Sequence, residues 1–251
     1  MKSKLWVNNL VSLETLGNVP IPPVTETYCP IPYLDYVSKI IDYGEEFLTD
    51  FDLVEQKHGL AREGQFMFGL NTYKPKGDVF SGMDLAVGYR TSYNKLLSNS
   101  MAIGSEVIVC SNLLLTGNIV VMRKHTKNVL DDLDNLFGDA MSNAGGHYGS
   151  AIRQEDILRR LKVQNNDAYS ILGIAVGNNI IGTRQMKKAL KEWNEPSYKE
   201  HGKGTAWTLY QAFTESLKSA PIQTYMEQHR LVQMLFESSF SELDKERDLL
   251  N

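Results

Sequence analysis

Several residue types and patterns that identify whole classes of protein are scarce or missing in this sequence. It has only two cysteines, Cys29 and Cys110, and neither belongs to a CxxC pair or to a cluster with histidine. This argues against a structural zinc ion and against a disulfide framework. The five histidines are scattered without an HExxH pair, and no GxSxG sequence marks a nucleophile. We therefore expect no metal site, no catalytic residue and no cofactor.

Long apolar runs are missing too. No stretch approaches the roughly 18–20 apolar residues that a membrane-spanning helix needs. Near the N-terminus, Asn8, Asn9 and Glu14 interrupt what could otherwise form a signal peptide. These absences predict a cytoplasmic protein with reduced thiols that does not contact a membrane.

What is present is an ordinary globular composition with an uneven distribution of charge. The 251 residues are 42% apolar and carry 26 Lys and Arg against 30 Asp and Glu, a net charge of −4. Segment 26–55 has eight carboxylates and one lysine, a net of −7, whereas segment 85–130 has five cations and one glutamate, a net of +4. The low overall charge therefore conceals two regions of opposite sign.

Hydrophobic periodicity predicts an α+β fold. Apolar residues, among them Leu34 and Phe47, recur at helical spacing over 33–48 and predict a buried helix face, after a Pro-rich stretch that ends an irregular arm. Alternating patterns separated by short turns then favour an antiparallel β-meander flanked by helices, because parallel strands need long crossovers. The predicted strands cover 51–62, 65–73, 84–94, 105–111 and 118–126.

Helical patterns follow the strands as far as residue 240. Thr126 can cap a helix with an apolar stripe from Val129 to Met141, and the sequence at 143–146, with two glycines, predicts a loop after it. Further helices are predicted over 153–163, 167–180, 183–193, 205–219 and 221–238. The predicted organisation is an irregular N-terminal arm (1–24), an α+β core (25–148), an all-helical C-terminal portion (149–240) and a charged tail (241–251).

The third predicted strand is the main candidate for ligand binding. Alternation places Arg90, Ser92 and Asn94 on one face and Tyr89 and Tyr93 on the other. Guanidinium, hydroxyl and amide donors on one surface suit phosphate oxygens, and tyrosine rings can stack on bases. The alternative is that the tyrosines belong to the core and the charges form a solvated face. The candidate nucleic-acid-binding residues are Tyr89, Arg90, Ser92, Tyr93, Asn94, Lys95, Arg123, Lys124 and Lys127.

Three other motifs have simpler structural explanations. Segment 184–204 has a net charge of +3 with aromatic residues between its lysines, but its apolar residues at helical spacing are more typical of a core. The glycine sequences at 177–182 and 202–205 lack a full phosphate-loop pattern and are interpreted as helix-ending glycines. The sequence at 55–57 offers the E-x-K element of a metal-dependent nuclease, yet a solvent-facing strand explains it better.

Three short segments in the middle of the chain carry a family resemblance. Residues 84–95, 109–112 and 123–126 are similar to R-N-S-x-D/N-K, V-C-x-N and K-H-T segments of a phage- and plasmid-borne family known only as a domain of unknown function. Thr91 stands where that family usually has Asn. The resemblance covers about 25–215 and implies a mobile-element context. The order helix, meander, helix is also similar to the core of phage single-strand annealing proteins, which implies a strand-binding groove and ring assembly.

Together these observations predict a non-enzymatic, phage-type protein that binds or anneals single-stranded DNA in recombination or replication. It would use the basic sheet face and form a homo-oligomer. The alternative is an interaction protein that docks on a host defence or replication protein, with the acidic segment 26–55 acting as a nucleic-acid mimic. A metal-dependent nuclease is the third hypothesis.

Overall fold

The computed structural model describes residues 10–77, 82–107, 112–114, 120–127 and 129–240. These residues form two compact units. The first contains 10–77, 84–104, 120–127 and 129–147, and the second contains 82–83, 105–107, 112–114 and 148–240. The predicted tail, the start of the N-terminal arm, Cys110 and the ends of two predicted strands (108–111 and 118–119) lie outside the described residues.

The first unit begins with a short helix, α1 (Leu13–Gly17), inside the segment that the sequence predicted to be irregular. The Ser12 hydroxyl caps this helix by accepting a hydrogen bond from the Thr15 backbone N–H at 3.2 Å. Just before it, Leu10 forms an isolated antiparallel bridge with Gly59. Capping by one side chain orders a helix too short for hydrophobic periodicity to detect.

The predicted helix over 33–48 is confirmed as α2 (Tyr33–Phe47). Two residues that the periodicity assigned to its buried face, Leu34 and Phe47, are instead each 37% exposed. Tyrosines occupy that face instead. A tyrosine can be buried when its hydroxyl has a hydrogen-bond partner, and the Tyr36 hydroxyl donates to the Ser100 carbonyl at 3.1 Å. The buried face consists of Tyr33, Tyr36, Val37, Ile40 and Gly44.

An antiparallel sheet follows, in the order β1-β2-β3-β4-β5 with β6 paired to β4. Its antiparallel pairings confirm the predicted meander. The register sets Gly69 of β2 opposite both His58 of β1 and Tyr89 of β3. The strands are β1 (Phe51–Ala61), β2 (Phe66–Pro75), β3 (Met83–Ser92), β4 (Asn99–Val107), β5 (Asn112–Leu114) and β6 (Val120–Arg123).

Strand β4 begins at Asn99 rather than at the predicted Ser105. Its polar first residues interrupt the apolar pattern, yet they are buried because neighbouring strand β3 satisfies them. Asn99 Oδ1 accepts a hydrogen bond from the Thr91 hydroxyl at 2.6 Å, and Ser100 Oγ accepts one from Arg90 Nε at 3.0 Å. The three-residue strand β5 is too short for the alternation pattern to predict.

Helix α3 (Val129–Ser142) packs against α2 and completes the described core of the first unit. The predicted apolar stripe of this helix is buried at its first residue, Val129, at its last, Met141, and at Leu133, Phe137 and Ala140 between them. The Tyr36 ring joins the helices to the sheet, since it lies edge-on to Phe137 at 5.7 Å and 6.3 Å from Tyr89.

The predicted helical portion is confirmed, and the boundary that differs most is the start of its first helix. Helix α4 begins at Ala144, within the predicted loop, because the Asn143 carbonyl accepts the His147 N–H at 3.2 Å and starts the helix. The glycine pair therefore lies in the first turn of that helix. The helices are α4 (Ala144–Arg160), α5 (Asn165–Gly177), α6 (Thr183–Asn194), α7 (Ala206–Leu217) and α8 (Ile222–Ser239).

Helix α7 is the centre of the second unit. Each of its residues is buried, and both α6 and α8 pack against it. The Thr205 hydroxyl caps its first turn by accepting the Thr208 N–H at 3.2 Å. Phe236 of α8 meets Tyr210 and Phe213 edge-on, with centroids 5.0 and 5.7 Å apart.

Candidate nucleic-acid interface

The predicted stacking residues Tyr89 and Tyr93 lie inside the first unit. Tyr89 is 3% exposed, its hydroxyl donates to Asn71 Oδ1 at 3.0 Å, and it lies 3.2 Å from His58 Nδ1. The Tyr93 ring stacks on Tyr33 with centroids 3.9 Å apart, and its hydroxyl accepts the Tyr33 backbone N–H at 3.1 Å. Burial raises the pKa of both phenols. The structure thus corrects the prediction of base stacking, because both rings belong to the core.

Ser92 and Arg90 do not form an exposed phosphate-binding face either. Ser92 is fully buried, and its hydroxyl donates to the Leu97 carbonyl at 3.0 Å and accepts the Leu97 N–H at 2.9 Å. Arg90 is half-buried with Nε 3.0 Å from Ser100 Oγ, and burial lowers its pKa. Strand β3 is mostly buried on both faces, so the predicted basic sheet face is replaced by hydrogen bonds within the sheet.

Asn94 and Lys95 lie in the turn after β3, because the strand ends at Ser92. The Asn94 amide bridges the turn: Nδ2 donates to Gln65 Oε1 at 2.8 Å, and Oδ1 accepts the Leu96 N–H at 3.1 Å. Lys95 takes a left-handed backbone conformation with φ 63° and is exposed. The turn therefore presents a cation to solvent from a fixed backbone.

Tyr28 holds the Lys95 side chain. The ammonium group lies 4.4 Å from the centroid of the Tyr28 ring, an arrangement favourable for a cation–π interaction. The Tyr28 hydroxyl donates to the Tyr93 carbonyl at 2.8 Å, and its ring centroid is 5.7 Å from that of His125. The Cys29 N–H donates to the His125 carbonyl at 3.2 Å. Lys95 and the segment 124–127 therefore meet around one pair of rings.

His125 anchors this segment from inside the protein. Its Nε2 lies 3.0 Å from the Leu97 carbonyl oxygen and its Nδ1 lies 3.4 Å from Asn99 Nδ2. Burial lowers the pKa of His125 more than the hydrogen bond to Leu97 raises it, and the charge of Lys95 lowers it further. The buried His125 thus holds the backbone from which two exposed lysines extend.

Those two lysines are Lys124 and Lys127, and with Lys95 they form what we call the cationic end. None of the three has an ion-pair partner within the described part of the chain. Arg123 differs from them, because its Nε lies 3.7 Å from Asp132 Oδ2 of α3. The structure therefore brings together three of the nine predicted residues as unpaired, exposed cations.

Sequence reasoning missed Tyr28, whose ring contacts the Lys95 ammonium group. It lies just before α2, in a proline-rich stretch without periodicity, so no pattern relates it to Lys95. Its hydrogen bond reaches across 65 positions of the chain. The only signal is its type, since tyrosine combines an apolar ring with a polar hydroxyl.

The second basic segment divides into buried rings and exposed cations. Of the apolar residues at helical spacing, Trp193 is 5% exposed, as the core interpretation predicted, whereas Met186 and Leu190 are only half-buried. On α6, however, Arg184, Lys187 and Lys191 are exposed and recur at helical spacing. The sequence interpretation was based on the apolar residues of this segment and did not predict the exposed row of cations on α6.

The remaining motifs have structural roles. Gly177 is the last residue of α5 and Gly182 is the N-cap of α6. Gly202 and Gly204 take left-handed φ angles of 67° and 68° before the capped start of α7. In the E-x-K element, Lys57 forms an ion pair with Glu55 on β1.

Neither a metal-ligand cluster nor a membrane-spanning helix occurs in the described residues. No group of three or more His, Cys, Asp or Glu side chains there could hold a metal ion. None of the helices in the same residues combines the length and the apolar composition that a membrane crossing requires. No protein-family model matches the chain, and it has no match among curated proteins or solved structures.

Proposed function

We propose that this chain binds single-stranded DNA through the cationic end, as a non-enzymatic phage-type protein of recombination or replication. The observation that carries the proposal is the grouping of Lys95, Lys124 and Lys127 around Tyr28 and His125. Lysine ammonium groups neutralise phosphates without reading base identity. The lysines would therefore contact the phosphate backbone of the DNA, and binding would not depend on the base sequence.

Fixed backbones make these lysines better phosphate ligands than scattered surface charges. Lys95 extends from a turn bridged by Asn94, and its position over Tyr28 limits its rotamers. Lys124 and Lys127 flank the buried His125. Binding then orders fewer free side chains, which lowers the entropic cost of the contact.

The preference for a single strand rests on the resemblances described above. With Tyr89 and Tyr93 in the core, stacking does not contribute, so the affinity comes from charge. Contacts with phosphates release counterions, so salt weakens binding. On a single strand, each contacted phosphate lowers the logarithm of the affinity by about 0.7 for every tenfold rise in salt concentration. Each lysine is therefore worth about tenfold in affinity at about 50 mM salt.

The test is a fluorescence-anisotropy titration of a labelled single-stranded oligonucleotide at about 50 mM salt. The triple variant Lys95→Ala/Lys124→Ala/Lys127→Ala should weaken binding by about three decades, which abolishes it at micromolar protein. Its matched control is Lys162→Ala/Lys199→Ala/Lys203→Ala, which removes three exposed lysines elsewhere. The control should bind with nearly unchanged affinity.

Two results would contradict the proposal. One is a wild-type chain that does not retain the oligonucleotide at low salt. The other is an equal loss in both triple variants, which would mean that net charge, and not the cationic end, governs binding. Duplex DNA and RNA of equal length, used as unlabelled competitors, identify the preferred strand.

A further inference from the structure

Helices α2 and α3 together form a strongly acidic layer on the first unit. They carry eight carboxylates and one lysine, Lys39. Lys39 pairs with Asp134, and Arg123 of β6 pairs with Asp132. The other six have no ion-pair partner among the described residues. These six are Asp35, Asp42, Glu45, Glu46, Asp131 and Asp139.

A groove runs between the two helices. It encloses about 470 Å³, and its lining includes Tyr43, Glu46 and Phe47 from α2, Gly138 and Asp139 from α3, and the ion pair of Lys39 with Asp134. Gly138 contributes no side chain, and a Cβ there would lie 3.8 Å from the Phe47 ring. The groove thus has an aromatic wall exposed to solvent and an acidic rim, a surface suited to a cationic helix.

A cationic helix with these properties exists on the same chain. The exposed stripe of α6, Arg184, Lys187 and Lys191, has no ion-pair partner within the described residues. The glutamate of this helix, Glu192, is buried and accepts hydrogen bonds from the Ser197 N–H and hydroxyl at 2.9 and 2.7 Å. The exposed face of α6 therefore carries no carboxylate that would neutralise its cations.

We propose that α6 of one copy docks along the α2–α3 groove of a second copy, so that identical chains associate head to tail. We favour a second copy over a host protein as the occupant of the groove, because the chain itself carries a cationic surface, on α6, that complements the acidic groove. A contact between two different patches repeats from copy to copy and builds a ring or a filament. The inference does not depend on nucleic-acid binding.

Lengths and spacings of the two surfaces agree. Helix α6 is about 18 Å long and the helices of the groove are about 21–22 Å long, at 1.5 Å per residue. Lys187 and Lys191 are four residues apart on α6. On α2, Glu46 lines the groove and the exposed Asp42 lies four residues before it, outside the lining, so the spacing is about 6 Å along each axis. Each lysine can thus face one carboxylate.

A charge swap tests this contact in the full-length chain without nucleic acid. Variant A is Lys187→Glu/Lys191→Glu, and variant B is Asp42→Lys/Glu46→Lys; all four positions are exposed. The masses of wild type, A, B and an equimolar mixture of A and B are measured by sedimentation velocity at about 50 mM salt. A control variant, Lys199→Glu/Lys203→Glu, makes the same change in net charge as A elsewhere on the surface.

We expect wild type and the control to sediment at multiples of 28.3 kDa, and A and B alone at 28.3 kDa. The mixture should assemble again, because the reversed α6 of A faces the reversed groove of B, and this reassembly shows that both variants are folded. Salt of about 1 M, with a Debye length of about 3 Å, should separate the wild-type assembly. A monomeric wild type, assembly of A or B alone, or a mixture that stays monomeric would overturn the proposal.

Discussion

Replacing Gly69 by alanine tests whether Tyr89 belongs to the core or is available to a ligand. Gly69 lies opposite Tyr89 on the adjacent strand, and a Cβ at Gly69 would come within 2.0 Å of the Tyr89 ring. The ring cannot swing away freely, because its hydroxyl is held by Asn71 at 3.0 Å. The substitution Gly69→Ala must therefore displace the ring or the strand.

Neighbouring strand β3 offers a matched control. Gly88 is also a buried strand glycine, but its added Cβ would meet nothing closer than the Ala102 carbonyl oxygen at 4.0 Å. Overpacking a core costs about 1–3 kcal/mol or more, whereas alanine in place of an unconstrained strand glycine gains about 0.5–1 kcal/mol. The two variants should thus differ by about 1.5–4 kcal/mol in the free energy of unfolding.

Urea unfolding followed by far-ultraviolet circular dichroism measures this difference. We expect the midpoint of Gly69→Ala to fall well below that of wild type and the midpoint of Gly88→Ala to stay level or rise. Equal midpoints for the two variants would refute the placement of Tyr89 over Gly69. They would also return Tyr89 to the list of candidate stacking residues.

Three further outcomes follow from the structure. Tyr93→Phe removes the acceptor of the Tyr33 N–H at the start of α2 and should lower the free energy of unfolding by about 0.5–1.5 kcal/mol, measured by urea titration. Burial lowers the pKa of three histidines in the folded state, so on acidification the unfolded chain takes up protons before the folded one does. The free energy of unfolding should therefore fall as the pH drops below about 6.5. Replacing all three by Gln should make the melting temperature less dependent on pH in this range. Burial raises the pKa of Asp134, but hydrogen bonds from Lys39 and Tyr43 outweigh it, so the pKa is lowered. The ionised carboxylate therefore stabilises the fold above about pH 4, and this stabilisation is lost as the pH falls further. Asp134→Asn should make the melting temperature less sensitive to acid. The histidines are His58, His125 and His201.

Hydrophobic periodicity was sufficient for most of the fold. It located α2, the first strands and the helices of the second unit, because each has an apolar face with a regular period. It failed where polar groups are buried with partners from distant parts of the chain. Asn99 and Ser100 open β4 only because Thr91 and Arg90 satisfy them, and that pairing depends on tertiary structure.

The candidate site was less predictable than the fold. Alternation located Tyr89, Arg90 and Ser92 within a strand, but it assumed that one face of that strand meets solvent. Both faces are mostly buried, so the exposed cations come from the turn after the strand and from the segment after β6. The contact of Lys95 with Tyr28 could not be foreseen, because the two residues are 67 positions apart and share no pattern.

The salt dependence of oligonucleotide binding is the most direct test of the central claim, that three lysines of the cationic end contact the phosphates of a single strand. A plot of log affinity against log salt should have a slope of about −2 for the wild type, which is a loss of about 20-fold between about 50 and 200 mM salt. Lys95→Ala should reduce the magnitude of that slope by about 0.7. A slope near zero, or one that is the same in wild type and Lys95→Ala, would contradict the account.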